Sequence, residues 1–283
     1  MVENHNSFQI EAIDGPMAVD LFLPPSPEVD GPFPVLIYCH GFKGFKNWGY
    51  APFLHEYFAA GNVAVITFNY ARNGVAGDED VVSDIQKFAL NTVTSELNSM
   101  KAVAEWLKEV AQQYNLDREH VTWLGHSRGG ANVIVFANLY PNFVEKVIAW
   151  NPIPSYQSLF AQFDKAEWKA EKELFTLNSR TGQRLPLRYT IWEDLVAHEE
   201  EYDVLENARA LGRPLLIVHG ENDDVVPVAT SEPMYEACLH SLRMTVPGAS
   251  HTFNMQHPCA GIEAFSKELW VALDNSLSFI EEI

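Results

Sequence analysis

"HVTWLGHSRGG", residues 120–130, carries a strand-forming run straight into a glycine, a serine and two more glycines before the chain turns helical. Val121, Thr122 and Trp123 read as part of a buried strand, and residues 128–139 as the helix that follows it. Ser127 stands at the apex between them, with a glycine two places before it and another two places after. A residue on so sharp a strand-to-helix turn has strained backbone angles, and flanking glycines let neighbouring segments approach without colliding Cβ atoms. A strand that feeds directly into a helix is also the unit from which α/β sheets are built.

Working outward, the same alternation recurs. "SFQIEAI" and "AVDLFLP" open the chain as an antiparallel pair around Asp14-Gly15-Pro16. Buried strands follow at 34–40, 63–70, 120–125, 146–151, 214–220 and 242–248, which makes eight in all. Helices are expected at 94–111, 128–139, 229–240 and 259–273. In the first of these Leu97, Met100, Val103, Ala104, Leu107 and Val110 form one apolar stripe, with Thr94 or Ser95 as its cap. The pattern predicts an α/β fold: a mostly parallel, twisted, eight-stranded sheet with helices on both faces. About sixty residues separate the strands at 146–151 and 214–220, too many for an ordinary connection. Residues 1–151 and 213–283 are therefore read as the core, and 152–212 as an inserted cap carrying Phe160, Phe163, Trp168, Phe175 and Trp192, with "NSRTGQRLPL" as a turn or hairpin.

Composition narrows the function. The chain has 283 residues, 47% of them hydrophobic, and 38 acidic against 19 basic residues give a formal charge of −19. Such a charge repels phosphate backbones and anionic lipid, so neither nucleic acid nor a membrane is an expected partner. No run approaches membrane-spanning length and the N-terminal stretch lacks a signal pattern, which together suggest a cytoplasmic protein. Cys39, Cys238 and Cys259 form no C-x-x-C pair and read as packed thiols. The tract at 198–206, "HEEEYDVLE", reads as a solvated helix face. Whether the protein is a monomer or a homodimer is not legible in the sequence.

The residues that carry chemistry lie in the loops that follow the strands. A serine hydroxyl is a weak nucleophile and needs a base, for which His251 in "VPGASHTF" is the candidate; the alternatives are a turn serine and a surface histidine. Acidic residues in "HGENDDVVP", Asp223 and Asp224, are placed to hold such an imidazole. Negative charge developing on a carbonyl oxygen calls for fixed N–H donors, and the backbone amides of Phe42 and Arg128 are candidates. His40 is expected to brace the loop "HGFKG" and His126 to fill the turn around Ser127. With Lys43 and Trp192, these two histidines are the candidate substrate contacts. Lys43 and Lys46 could meet a negatively charged substrate end, although solvated loop lysines are the commoner case. No ligand set such as H-E-x-x-H is present, so neither metal nor cofactor is expected.

With "HGFKG", "GHSRGG", "HGENDDVVP" and "GASHTF" in this order, the chain resembles the α/β-hydrolase superfamily over nearly its whole length. Within it the chain is similar to the dienelactone-hydrolase-like and cinnamoyl- or feruloyl-esterase-like bacterial hydrolases, which carry an insertion after the sixth strand. The resemblance implies a Ser-His-Asp carboxylic ester hydrolase of Ser127, His251 and Asp223, the last occupying the acid position of the H-G-x-x-D-x-x-V-P pattern. It implies a small-molecule ester as substrate, of small or medium acyl or aryl type, cleaved through an acyl-enzyme. Dienelactone hydrolases use cysteine where this chain has Ser127, which argues against dienelactone itself. A peptidase or thioesterase with the same triad, and a binding protein that has lost turnover, are the alternatives.

Overall fold

A computed structural model of the chain describes residues 4–25 and 31–282. Ten strands and nine α-helices follow one another among these residues: β1 (His5–Ala12), β2 (Gly15–Phe22), β3 (Phe33–Cys39), α1 (Leu54–Phe58), β4 (Ala64–Phe68), α2 (Ile85–Phe88), α3 (Val93–Tyr114), β5 (Leu116–His126), α4 (Arg128–Leu139) and β6 (Lys146–Trp150). Then come α5 (Lys165–Glu171), β7 (Glu173–Leu177), β8 (Arg184–Arg188), α6 (Thr190–Ala197), α7 (Val204–Ala210), β9 (Leu215–Gly220), α8 (Glu232–Ala237), β10 (Ser241–Val246) and α9 (Lys267–Glu281). Eight strands form one sheet in the order β1-β2-β4-β3-β5-β6-β9-β10. Only β2 runs against the rest, being antiparallel to both β1 and β4. This is the eight-stranded α/β sheet the sequence predicts.

The inner strands owe their composition to their surroundings. Every residue of β4, β6 and β9 is buried, because helices cover both faces of the parallel strands. On one face α3, α4, α7 and α8 pack side by side. On the other α1 meets α9, where the Tyr57 hydroxyl donates to Asp274 Oδ1 and the Tyr57 and Trp270 rings lie 5.5 Å apart.

Several boundaries differ from the sequence reading, each for a local reason. The Thr92 hydroxyl, rather than Thr94 or Ser95, caps α3 by accepting from the Ser95 amide at 3.1 Å. Thr94 instead donates its hydroxyl to Asp194 of α6. The last helix starts at Lys267, where the Ser266 hydroxyl accepts from the Leu269 amide, and not at residue 259. Residues 229–240 hold only a 3₁₀ turn and the short α8, since Pro227 and Pro233 punctuate the segment. The first hairpin pairs Ala12 with Gly15, so Ile13 and Asp14 make the turn. The acidic residues of 198–206 are exposed as read, but Glu199, Glu200, Glu201 and Asp203 lie on the turn between α6 and α7 and only Glu206 is on a helix.

Between β6 and β9 the chain forms a 3₁₀ turn (Tyr156–Phe160), α5, the two-stranded hairpin β7–β8, α6 and α7. The tip of that hairpin, residues 178–183, is tied to two distant loops. Gln183 exchanges hydrogen bonds with both main-chain groups of Val82, its Nε2 donating to the carbonyl at 2.8 Å. Arg180 Nη2 donates to the Lys43 carbonyl at 2.6 Å, and Lys43 Nζ donates to the Leu177 carbonyl at 3.1 Å.

Candidate active site

Ser127 has φ 58° and ψ −117°, a strained conformation for a non-glycine residue. The strain is held because the turn is crowded by backbone on both sides. A Cβ on Gly125 would stand 2.0 Å from the Gly129 carbonyl oxygen, and one on Gly129 would stand 2.2 Å from that of Cys39. Strand β5, helix α4 and the loop after β3 can pack this closely only if both positions lack a side chain. The Ser127 amide donates to the Trp150 carbonyl at 2.8 Å, which anchors the apex to β6.

The loop after β9 brings Asp223 to this end of the sheet, and the loop after β10 brings His251. His251 Nδ1 lies 2.7 Å from Asp223 Oδ2, so this nitrogen carries the proton that the carboxylate accepts. Asp223 Oδ1 accepts from the Val225 and Val226 amides at 2.9 and 2.8 Å. Burial alone would push the Asp223 carboxyl up. The hydrogen bonds from His219 and His251, with the Val226 amide, outweigh it and hold the group well below the usual carboxylate range. Asp224 faces solvent.

Ser127 and His251 line one cavity of about 190 Å³, together with His40, Phe42, Lys43 and His126. Among the described residues no hydrogen bond joins Ser127 Oγ to His251, and the remaining ring nitrogen of His251 stays available for a proton. His126 Nε2 donates to the His251 carbonyl at 2.7 Å, and the two rings lie 4.8 Å apart. His40 is buried against Tyr70, with Nδ1 2.9 Å from the Gly41 carbonyl. Burial lowers the pKa of His40 to about 4 and that of His126 to about 3, so both are neutral around pH 7.

Other candidates fall elsewhere. Lys46 is fully buried and its ammonium contacts Asp20 and Asp78, the latter at 2.6 Å. It ties the loop after β3 to β2 and is neither solvated nor open to substrate. Trp192 does not line the cavity; it packs on the core with the Lys165 ammonium 4.5 Å from its ring centre. The Arg128 guanidinium is buried, pairs with Glu96 at 2.8 Å and lies 5.3 Å from the centre of the Phe42 ring. Glu96 in turn accepts from Asn91 and Asn132, each at 2.7 Å.

Three residues that the sequence reading passed over matter to this geometry. Asn151, with φ 46°, donates Nδ2 to the His251 carbonyl at 2.8 Å and accepts the Gly220 amide at 2.7 Å. It thereby joins the loops that carry the base and the acid. Trp48 and Arg180 form part of the cavity wall, the guanidinium 5.4 Å from the Trp48 ring centre. Local periodicity holds no sign of either role, since each depends on contacts across 69 to 137 residues of chain. Among the described residues no group of three or more His, Cys, Asp or Glu is arranged to hold a metal, and no helix is long and apolar enough to cross a membrane.

Comparisons with known proteins agree with this fold. The chain superposes on Est1E from Butyrivibrio proteoclasticus, in its complex with ferulic acid, with a TM-score of 0.72 at 20% identity over 96% of this chain and 97% of that one. A dienelactone hydrolase from Anabaena variabilis gives 0.63 at 14% identity, covering 98% and 97%. A puromycin-hydrolyzing peptidase from Mycobacterium tuberculosis gives 0.65 at 18% identity, covering 98% of this chain but 38% of that one. A comparison with curated proteins found no match. Residues 10–210 match the family model described as "Putative esterase". With an α/β-hydrolase sheet and a family match over well more than half its length, the chain belongs to the esterase family.

Proposed function

We propose that the protein is a serine carboxylesterase in which Ser127, His251 and Asp223 act as nucleophile, base and acid. The 2.7 Å contact between His251 Nδ1 and Asp223 Oδ2, on the wall of the cavity that contains Ser127, carries the reading. With Nδ1–H committed to the carboxylate, Nε2 is the nitrogen that takes the proton of Ser127 Oγ as it attacks the ester carbonyl. Asp223 stays ionised and balances the imidazolium that forms. The tetrahedral oxyanion is met by the amides of Phe42 and Arg128, the loss of one such donor typically costing about 3–4 kcal/mol of transition-state stabilisation. His251 then returns its proton to the leaving alcohol and activates the water that clears the acyl-enzyme.

The contact that must form during reaction, Oγ to Nε2, is not a hydrogen bond in this structure; contacts of this kind tighten in the complex with substrate. His126 and His40 remain neutral and support the loops. The test is a p-nitrophenyl acetate burst: the wild type should release one equivalent rapidly, and Ser127→Ala should lose both burst and turnover. An undiminished burst in Ser127→Ala removes this serine from the mechanism.

A further inference from the structure

We propose that the cavity holding Ser127 takes esters that themselves bear a carboxylate, which Arg180 and Lys43 bind. This rests on the ester-hydrolase reading and names its substrate class.

The two cations reach the cavity from different parts of the chain. Lys43 stands in the loop after β3, and Arg180 at the tip of the β7–β8 hairpin. Of the basic side chains at buried or half-buried positions, Lys46 pairs with Asp20, Arg72 with Asp14 and Arg128 with Glu96, whereas Lys146, Lys165, Arg213 and Arg243 donate to main-chain carbonyls or a hydroxyl. Arg180 and Lys43 make no ion pair among the described residues. Their side chains donate only to main-chain carbonyls, those of Lys43 and Leu177 respectively. What sets Arg180 and Lys43 apart is their place: both stand on the wall of the cavity that Ser127 and His251 line, within reach of a bound anion.

Their electrostatics point the same way. Burial and then the Arg180 charge lower the Lys43 ammonium, and burial lowers Arg180 itself to about 10. The Arg180 charge also lowers His40 and His257, after burial. Two like charges on one cavity wall favour an anion between them. The Arg180 guanidinium is steadied over Phe45 and Trp48, at 5.7 and 5.4 Å from their ring centres, and spends Nη2 on the Lys43 carbonyl. Its other N–H groups have no acceptor among the described residues, and a guanidinium fork suits a carboxylate. A cavity of about 190 Å³ is small, so the carboxylate sits only a few bonds from the ester that Ser127 attacks.

The experiment compares paired esters. Monoethyl glutarate against ethyl pentanoate puts the charge on the acyl side, and 4-acetoxybutyrate against butyl acetate puts it on the alcohol side; turnover is followed by acid release. The wild type should prefer the charged member of at least one pair by about tenfold or more in kcat/KM, the worth of one charge-assisted hydrogen bond. In Arg180→Gln and Lys43→Gln the ratio within that pair should fall toward one. The ratio is unaffected by the amount of active enzyme. Glutarate alone should inhibit butyl acetate hydrolysis by the wild type competitively, a check that needs no variant. Equal or reversed preference in both pairs, absence of glutarate inhibition, or a preference that survives Arg180→Gln overturns the proposal. Failure to cleave any of the four esters overturns the hydrolase reading itself.

Discussion

Asn151 shows how much a single side chain can do for this site. Its amide bridges the Gly220 N–H to the His251 carbonyl, so the loops holding Asp223 and His251 keep one separation. Asn151→Ala removes both bonds and leaves a buried amide N–H unpaired, at a cost of about 1–3 kcal/mol of stability. We expect kcat to fall by about tenfold with KM little changed, because the imidazole loses its position and not its substrate. Steady-state kinetics separate the two, and an unchanged kcat would reduce Asn151 to a packing role. Ser127 itself was legible at this scale, since glycines two residues to either side describe a turn whose sterics are local. Asn151 was not, because an asparagine at a strand end has no pattern that says which loops it will meet.

At the scale of elements, α3 and α4 are joined beneath Ser127 by the buried Arg128–Glu96 pair. Arg128 opens α4 and also lies under the Phe42 ring, so the pair steadies both residues whose amides are proposed to hold the oxyanion. Glu96→Gln leaves the guanidinium buried without its counter-charge. The expected loss is about 3–5 kcal/mol, measured by urea unfolding, with reduced turnover even in the protein that remains folded. The helix α4 was read with its observed bounds because Ser127 and two glycines mark where it begins. By contrast α9 was placed eight residues early, since the capping hydroxyl of Ser266 lies well after the first apolar residues of the segment. Lys46 belongs to this scale too: its sequence context is that of a loop lysine, and only the approach of β2 with Asp20 buries it.

For the whole molecule the clearest consequence concerns acid. His40 and His126 have pKa values lowered by burial to about 4 and about 3, against 6.5 for a free imidazole. Unfolding lets each take up a proton it could not bind when folded. Stability is therefore full above about pH 6.5 and falls below it, by about 1.4 kcal/mol per pH unit for each histidine until the folded value is reached. Asp223, held below its ordinary range, adds a loss at still lower pH, where its unfolded form takes up a proton first. The unfolding temperature should drop steeply between pH 6.5 and 4, and His126→Gln should flatten that dependence. A profile unaffected by His126→Gln would mean that its burial is relieved by local opening.

By itself the sequence determined the eight strands of the main sheet in chain order, the long helices α3 and α4 and the strained turn at Ser127. These follow from hydrophobic period, glycine sterics and turn chemistry, all of which act over a few residues. Tertiary structure alone decided that Asn151 joins the loops of Asp223 and His251, that Trp192 lies off the cavity, and that Arg180 crosses 137 residues of chain to reach Lys43. Contacts of that kind depend on side-chain direction and on where distant loops converge, and neither quantity is written in a local pattern.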